Sequence, residues 1–149
     1  MQSGLDITTS ANSMNAVASL TFPVLAFTPN GVMPYSRYEN LLRVMKREYE
    51  MNWYKDLEIV DTNGTCVVVR SARIVKEPML AKLFGRMVEV KIQEAEKLAD
   101  YDVDATRSRV LEFLSLYPDV YQSAGLYDDL VMRVGKATTS ADIVKSFLE

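Results

Sequence analysis

The chain has 149 residues, 48% apolar and 25% charged, with a formal net charge of −3, one cysteine and no histidine. Its length sits near the common size of one domain and allows burial of ~70% of the surface an unfolded chain exposes, so it needs no disulfide or metal staple. The missing histidine excludes Ser-His-Asp and Cys-His catalysis and histidine-ligated metals. The lone cysteine excludes thiolate zinc and iron–sulfur sites within one chain.

Residues 1–20 are rich in Ser, Thr, Asn and Ala and carry one charge. That composition buries little and predicts a loosely ordered N-terminal arm ahead of a single α+β domain over residues 21–149. No basic residue precedes Arg37, so a secretory n-region is lacking, and no apolar run is long enough to span a bilayer. With a single cysteine that cannot form an internal bridge, the expectation is a cytoplasmic protein.

The stretch "TFPVLAFT" (21–28), bounded by Pro-Asn-Gly, reads as a buried strand. In "SRYE", Ser36 and Glu39 have the spacing of a capping box, and Tyr38, Leu41, Leu42, Met45 and Tyr49 follow at helical spacing. These positions predict one long helix over 37–52. In "DLEIVDTNGTCVVVRSARIVKE", Asn63-Gly64 predicts a hairpin with a two-residue type I′ turn. Cys66 enters a run of valines, where a thiol behaves as a small hydrophobe, so a packed and unreactive cysteine is expected.

Val67 and Val69 have one parity while Ala72 and Ile74 have the other, which predicts a β-bulge near Arg70-Ser71. Pro78 ends the strand and opens a short helix, "MLAKLFG", stopped by Gly85. "RMVEVKIQE" alternates, with Val88, Val90 and Ile92 inward. The final third reads as helical. Val110, Leu111, Leu114 and Tyr117 form a stripe interrupted by Pro118, a second helix follows Asp128-Asp129, and a third follows Ser140. The fold class is α+β: a small, mostly antiparallel sheet of about four strands in the order β-α-β-β-β, one long helix after the first strand, and a helical C-terminal third.

The charge is unevenly placed. Residues 92–130 hold nine acids against three bases, whereas residues 31–91 hold eleven bases against eight acids. Arg70, Arg73 and Lys76 on a strand and Arg43, Lys46 and Arg47 on a helix read as solvated faces, and no nucleic-acid or membrane partner is expected. "DYDVD" (100–104) places carboxylates at the first, third and fifth positions of an EF-hand loop, but Ala105 and Leu111 stand where its glycine and bidentate glutamate belong. An acidic loop whose Asp104 caps the next helix fits better. No catalytic, cofactor-binding or metal-binding residue is assigned.

Eight tyrosines supply contact area with a polar tip, and several fall in the acidic third. Tyr117 and Tyr127 fit the core, with their hydroxyls satisfied. The candidate partner-binding residues are Asp100, Tyr101, Asp102, Asp104, Asp119, Tyr121, Asp128 and Asp129, facing a protein with a basic surface.

The runs "PVLAFTPNGVMPYSRYENLLR", "DLEIVDTNGTCVVVRSARIV" and "LYDDLVMRVGKATTSADIVKSFLE" resemble small bacterial immunity-type proteins of toxin and effector systems. The resemblance implies a cytoplasmic, non-enzymatic inhibitor that covers a toxin domain. Two other readings remain open. One is a structural or adaptor protein of a phage or secretion assembly. The other is a magnesium-dependent hydrolase using Asp100, Asp102, Asp128 and Asp129.

Overall fold

A computed structural model of the protein describes residues 14–77, 87–117 and 127–148. In chain order the elements are β1 (Val24–Thr28), β2 (Gly31–Tyr35), α1 (Tyr38–Leu41), β3 (Arg43–Met45), α2 (Lys46–Glu50), β4 (Leu57–Asp61), β5 (Cys66–Lys76), β6 (Met87–Lys97), α3 (Val103–Leu116), α4 (Tyr127–Lys136) and α5 (Ser140–Lys145). The strands form one curled antiparallel sheet in the order β2-β1-β4-β5-β6-β3. The class is α+β with a helical C-terminal third, as expected, but the sheet has six strands rather than about four.

Alternation along the strands builds two cores. Val24 and Ala26 of β1, Leu57 and Ile59 of β4, Val67 and Val69 of β5 and Val88 and Val90 of β6 face inward around Trp53 and Tyr54. The intervening residues Leu25, Phe27, Val32 and Val60 face outward, where Val110 and Leu114 of α3, Leu130 and Val134 of α4 and Ile143 and Val144 of α5 cover them. β1 lies between both cores and is buried at all five positions, which is why its sequence is continuously apolar. Residues 14–18 are helical, and Ala16, Val17 and Leu20 join the inner core, so the expected arm contributes to packing from Ala16 onward.

The long helix over 37–52 does not form. α1 ends at Leu41, β3 intervenes, and α2 begins at Lys46. Tertiary pairing overrides the helical stripe here. Val44 is buried opposite Val88, the Leu42 carbonyl accepts from Val90 N–H at 2.8 Å, and the Leu41 carbonyl accepts from the Tyr54 hydroxyl at 2.7 Å. A continuous helix would use those carbonyls itself and leave this edge of β6 unpaired. Ser36 is not the cap: Arg37 occupies that position, and no side chain caps the helix.

The β4–β5 turn also differs from the expected type I′. Only Gly64 has positive φ, at 82°, while Asn63 does not. Gly64 N–H donates to the Asp61 carbonyl and Asp61 N–H donates to the Thr65 carbonyl, both at 3.1 Å, giving a three-residue loop with a glycine bulge. The buried Asp61 carboxylate enforces this shape by accepting from the backbone N–H groups of Thr21, Asn63 and Thr65 at 2.8–2.9 Å.

The bulge expected near Arg70-Ser71 is present. Val69 pairs with Ala95 and Ser71 with Glu94, leaving Arg70 as the extra residue, so Ala72 and Ile74 return to the inner core. β2 and its hairpin with β1 were not anticipated; Pro34 is tolerated there because β2 is an edge strand. The helix expected over "MLAKLFG" and the Pro118 break lie outside the described residues.

Because Ser36 accepts no capping bond, Ser36→Ala should shift stability by less than about 0.5 kcal/mol, as for other exposed positions. Chemical denaturation of the two proteins checks this. A loss near the ~1 kcal/mol of a typical N-cap would instead show that Ser36 holds α1.

Candidate functional site

Asp100, Tyr101, Asp102 and Asp104 lie together on the segment leading from β6 into α3. Asp102, rather than Asp104, caps the helix: its backbone is extended, with φ −75° and ψ 177°, and its carboxylate accepts from Ala105 N–H at 2.7 Å. Asp104 sits in the first turn and pairs with Arg107 at 2.7 Å, while Asp100 stands 4.0 Å from Lys97. The Asp100 and Asp104 side chains remain 65% and 82% exposed, so these pairs are screened by water and leave most of the negative charge facing solvent.

Tyr101 is turned the other way. Its hydroxyl donates to Glu58 Oε1 at 2.6 Å, and its backbone N–H donates to the Gly64 carbonyl at 2.7 Å. A β-carbon on Gly64 would stand 2.0 Å from the Tyr101 carbonyl oxygen, so the loop rests directly on the hairpin turn and requires glycine there. Tyr101 thus anchors the acidic segment instead of presenting its ring tip to a partner.

Glu58 is the residue that the strand alternation concealed. It lies out of phase with Leu57 and Ile59 and reads as a solvent position. Yet it pairs with Phe27 and shares its parity with buried Val60, on the face beneath the helices. The continuous apolar run of β1 was the available sign that this face, too, would be covered. Arg109 reaches Glu58 Oε2 through Nε at 2.7 Å, donates to Glu112 at 3.2 Å, and lies 4.7 Å from the Phe113 ring centroid and 5.5 Å from that of Phe27. One carboxylate therefore receives both a tyrosine and an arginine from the segment above it.

Cys66 completes the cluster, its Sγ lying 3.9 Å from Glu58 Oε1. It is fully buried, and desolvation followed by the Glu58 charge pushes its thiol up to about 12. Burial also raises the Tyr101 hydroxyl, with its hydrogen bond to Glu58 adding to the shift. Neither group supplies a nucleophile at neutral pH. The arrangement ties the segment above to β4.

The other acidic candidates lie elsewhere. Asp128 and Asp129 occupy the first turn of α4, where Asp129 pairs with Arg133. Arg107 donates from α3 to the Val134 and Ala137 carbonyls at the opposite end of α4. Asp128 is therefore ~9 Å or more along the helix axis from the end that meets Arg107 and Asp104. Asp119 and Tyr121 lie outside the described residues. Among the described residues no group of three or more Cys, Asp or Glu side chains is placed to hold a metal ion. Tyr127 packs partly against the outer core, and Tyr117 lies 6.0 Å from Phe113, centroid to centroid.

Three measurements test this description. Native Cys66 should react with a thiol reagent far more slowly at pH 7 than the unfolded chain, and fast native labelling would contradict its burial. Its raised ionisation favours folding below the unfolded thiol value of ~8.5. That contribution should decline as pH rises from there toward about 12, adding to alkaline destabilisation that Cys66→Ala reduces. Separately, Arg109→Met should cost about 1–3 kcal/mol by leaving Glu58 without its charged partner. The double variant with Glu58→Met should cost less than the sum, whereas additivity within ~0.5 kcal/mol would mean the two side chains are not coupled.

No family model, curated protein or solved structure matches the chain.

Proposed function

We propose that the chain is a non-enzymatic protein-binding module, a cytoplasmic inhibitor of the immunity type that neutralises a basic toxin or effector domain. Supporting it is a preorganised acidic corner: Asp100, Asp102 and Asp104 are exposed within five residues, on a backbone tied down through Tyr101 to both Gly64 and Glu58. A fixed array of carboxylates meets a cationic surface without the entropy cost of ordering a loose loop. Tyr101 acts from beneath as the anchor, and contact falls to the aspartates. That no helix among the described residues is long and apolar enough to cross a membrane is compatible with this setting.

The test requires variants that keep the fold. Asp102→Ser retains a capping oxygen without the charge, and Asp100→Lys and Asp104→Lys reverse exposed side chains. A basic partner is first captured at low salt by the native protein, then its association with native and triple-variant protein is followed at several ionic strengths. The variant should associate more slowly and show a flatter salt dependence, because long-range attraction acts over a Debye length of only ~8 Å at 0.15 M. Tyr101→Phe should lower stability while leaving the dissociation rate nearly unchanged. Equal association rates for the native and triple-variant proteins would remove the acidic corner from the interface.

A further inference from the structure

Among the described residues, the helices cover only half of the sheet's outer face. Over β1, β4 and the start of β5, that face carries apolar residues beneath α3, α4 and α5. Beyond the Arg70 bulge the outward positions change character. Arg43 and Lys76 both stand opposite Glu89, Met45 stands opposite Met87, and Arg73 stands opposite Lys91. Their neighbours Val44, Ile74, Val88 and Val90 pack in or against the inner core, so these seven side chains share the outer face. Six of them are exposed and Glu89 is half-buried.

Three observations separate this surface from ordinary solvated polarity. Counting Glu94, which stands opposite Ser71 on the same face, four bases stand with two acids, and none of the four forms an ion pair among the described residues, although Arg43 and Lys76 both stand opposite Glu89. Arg73 lies directly across from Lys91, and like charges placed so in a sheet oppose folding. Met45 and Met87, 43% and 46% exposed, form an apolar pair beside them, next to a recess of about 550 Å³ bordered by Arg43, Lys76, Met87 and Glu89.

We infer that this bare half-face is a docking surface for an acidic protein segment. The segment's carboxylates pair with Arg43, Arg73, Lys76 and Lys91, and its apolar side chains rest on Met45 and Met87. Charge complementarity selects the sign of the partner, and the composition selects its class. No aromatic ring stands among these positions for bases to stack on, and Glu89 sits in the middle, where a phosphate would be repelled. Methionine and arginine together are a composition favoured in protein interfaces, and methionine adapts to varied apolar side chains. This surface is separate from the acidic corner and does not depend on that reading.

Fluorescence anisotropy with two labelled probes tests the inference: a peptide of alternating glutamate and leucine, and a single-stranded oligothymidylate. Sedimentation velocity of the unlabelled protein runs in parallel. The peptide should bind more weakly as salt rises, and Arg73→Glu should weaken it roughly tenfold. The same substitution converts a like-charged cross-strand pair into an opposite one, so the denaturation midpoint should rise while affinity falls. A purely structural role for Arg73 cannot produce that combination. Lys76→Gln should weaken the peptide without lowering the midpoint, and Asp100→Lys should leave peptide binding unchanged. Three results would each overturn the inference: peptide binding that is absent or unaffected by both basic-face substitutions, tighter binding of the oligonucleotide than of the peptide, or salt-sensitive self-association abolished by Arg73→Glu, which would make the occupant a second copy of the chain.

Discussion

One carboxylate links the helical layer to the sheet. Glu58 lies on β4, in the interior of the strand order, and accepts from both Tyr101 and Arg109. Its side chain is 13% exposed, so a hydrogen bond lost there leaves a charge that water reaches poorly. The apolar contacts of Leu114, Val134 and Ile143 supply the area that holds α3, α4 and α5 down, but such contacts are non-directional. The pair of bonds to Glu58 fixes where α3 begins and how the 100–104 segment is aimed. The Gly64 turn supplies the second point of support, and two supports suffice to hold a short loop in one orientation.

Much of the fold was legible wherever one local signal matched the tertiary environment. The buried first strand, the Arg70 bulge, the alternation of β6 and the acidic start of α4 followed from apolar period and charge alone. The failures share a physical cause. A helical stripe at Tyr38, Leu41, Leu42, Met45 and Tyr49 competes with the need of β6 for a partner, and a three-residue edge strand wins because it buries Val44 and uses the Leu42 carbonyl. Likewise Asn-Gly favours a type I′ turn in isolation, but a buried Asp61 accepting three backbone N–H groups selects a different turn. The first competitor is distant in sequence; the second adjoins the turn, but its burial and its bond to Thr21 come from tertiary packing.

The candidate site was legible in its charges and obscure in its support. Asp100, Asp102 and Asp104 declare themselves by spacing, whereas Glu58 and Arg109 are 51 residues apart and each resembles an ordinary surface charge. Tyr101 illustrates the difference. Its composition suggests a contact residue, and its geometry makes it a strut, because a tyrosine that finds a buried acceptor has its polar tip already used.

The net charge of −3 conceals two surfaces of opposite sign. Period-2 geometry gives every strand two faces, and the helices among the described residues cover the part of the outer face formed by β1, β2, β4 and the start of β5. The remainder must be compatible with water, which polar residues of either sign would satisfy. That requirement explains why Lys91 is polar. It does not explain why Arg73 stands opposite, or why two methionines stand alongside. Solvation asks only for polarity, folding disfavours the like-charged pair, and neither asks for exposed methionine. The bare half of the sheet therefore carries a composition that neither solubility nor stability selects, and an acidic, partly apolar partner accounts for both departures at once.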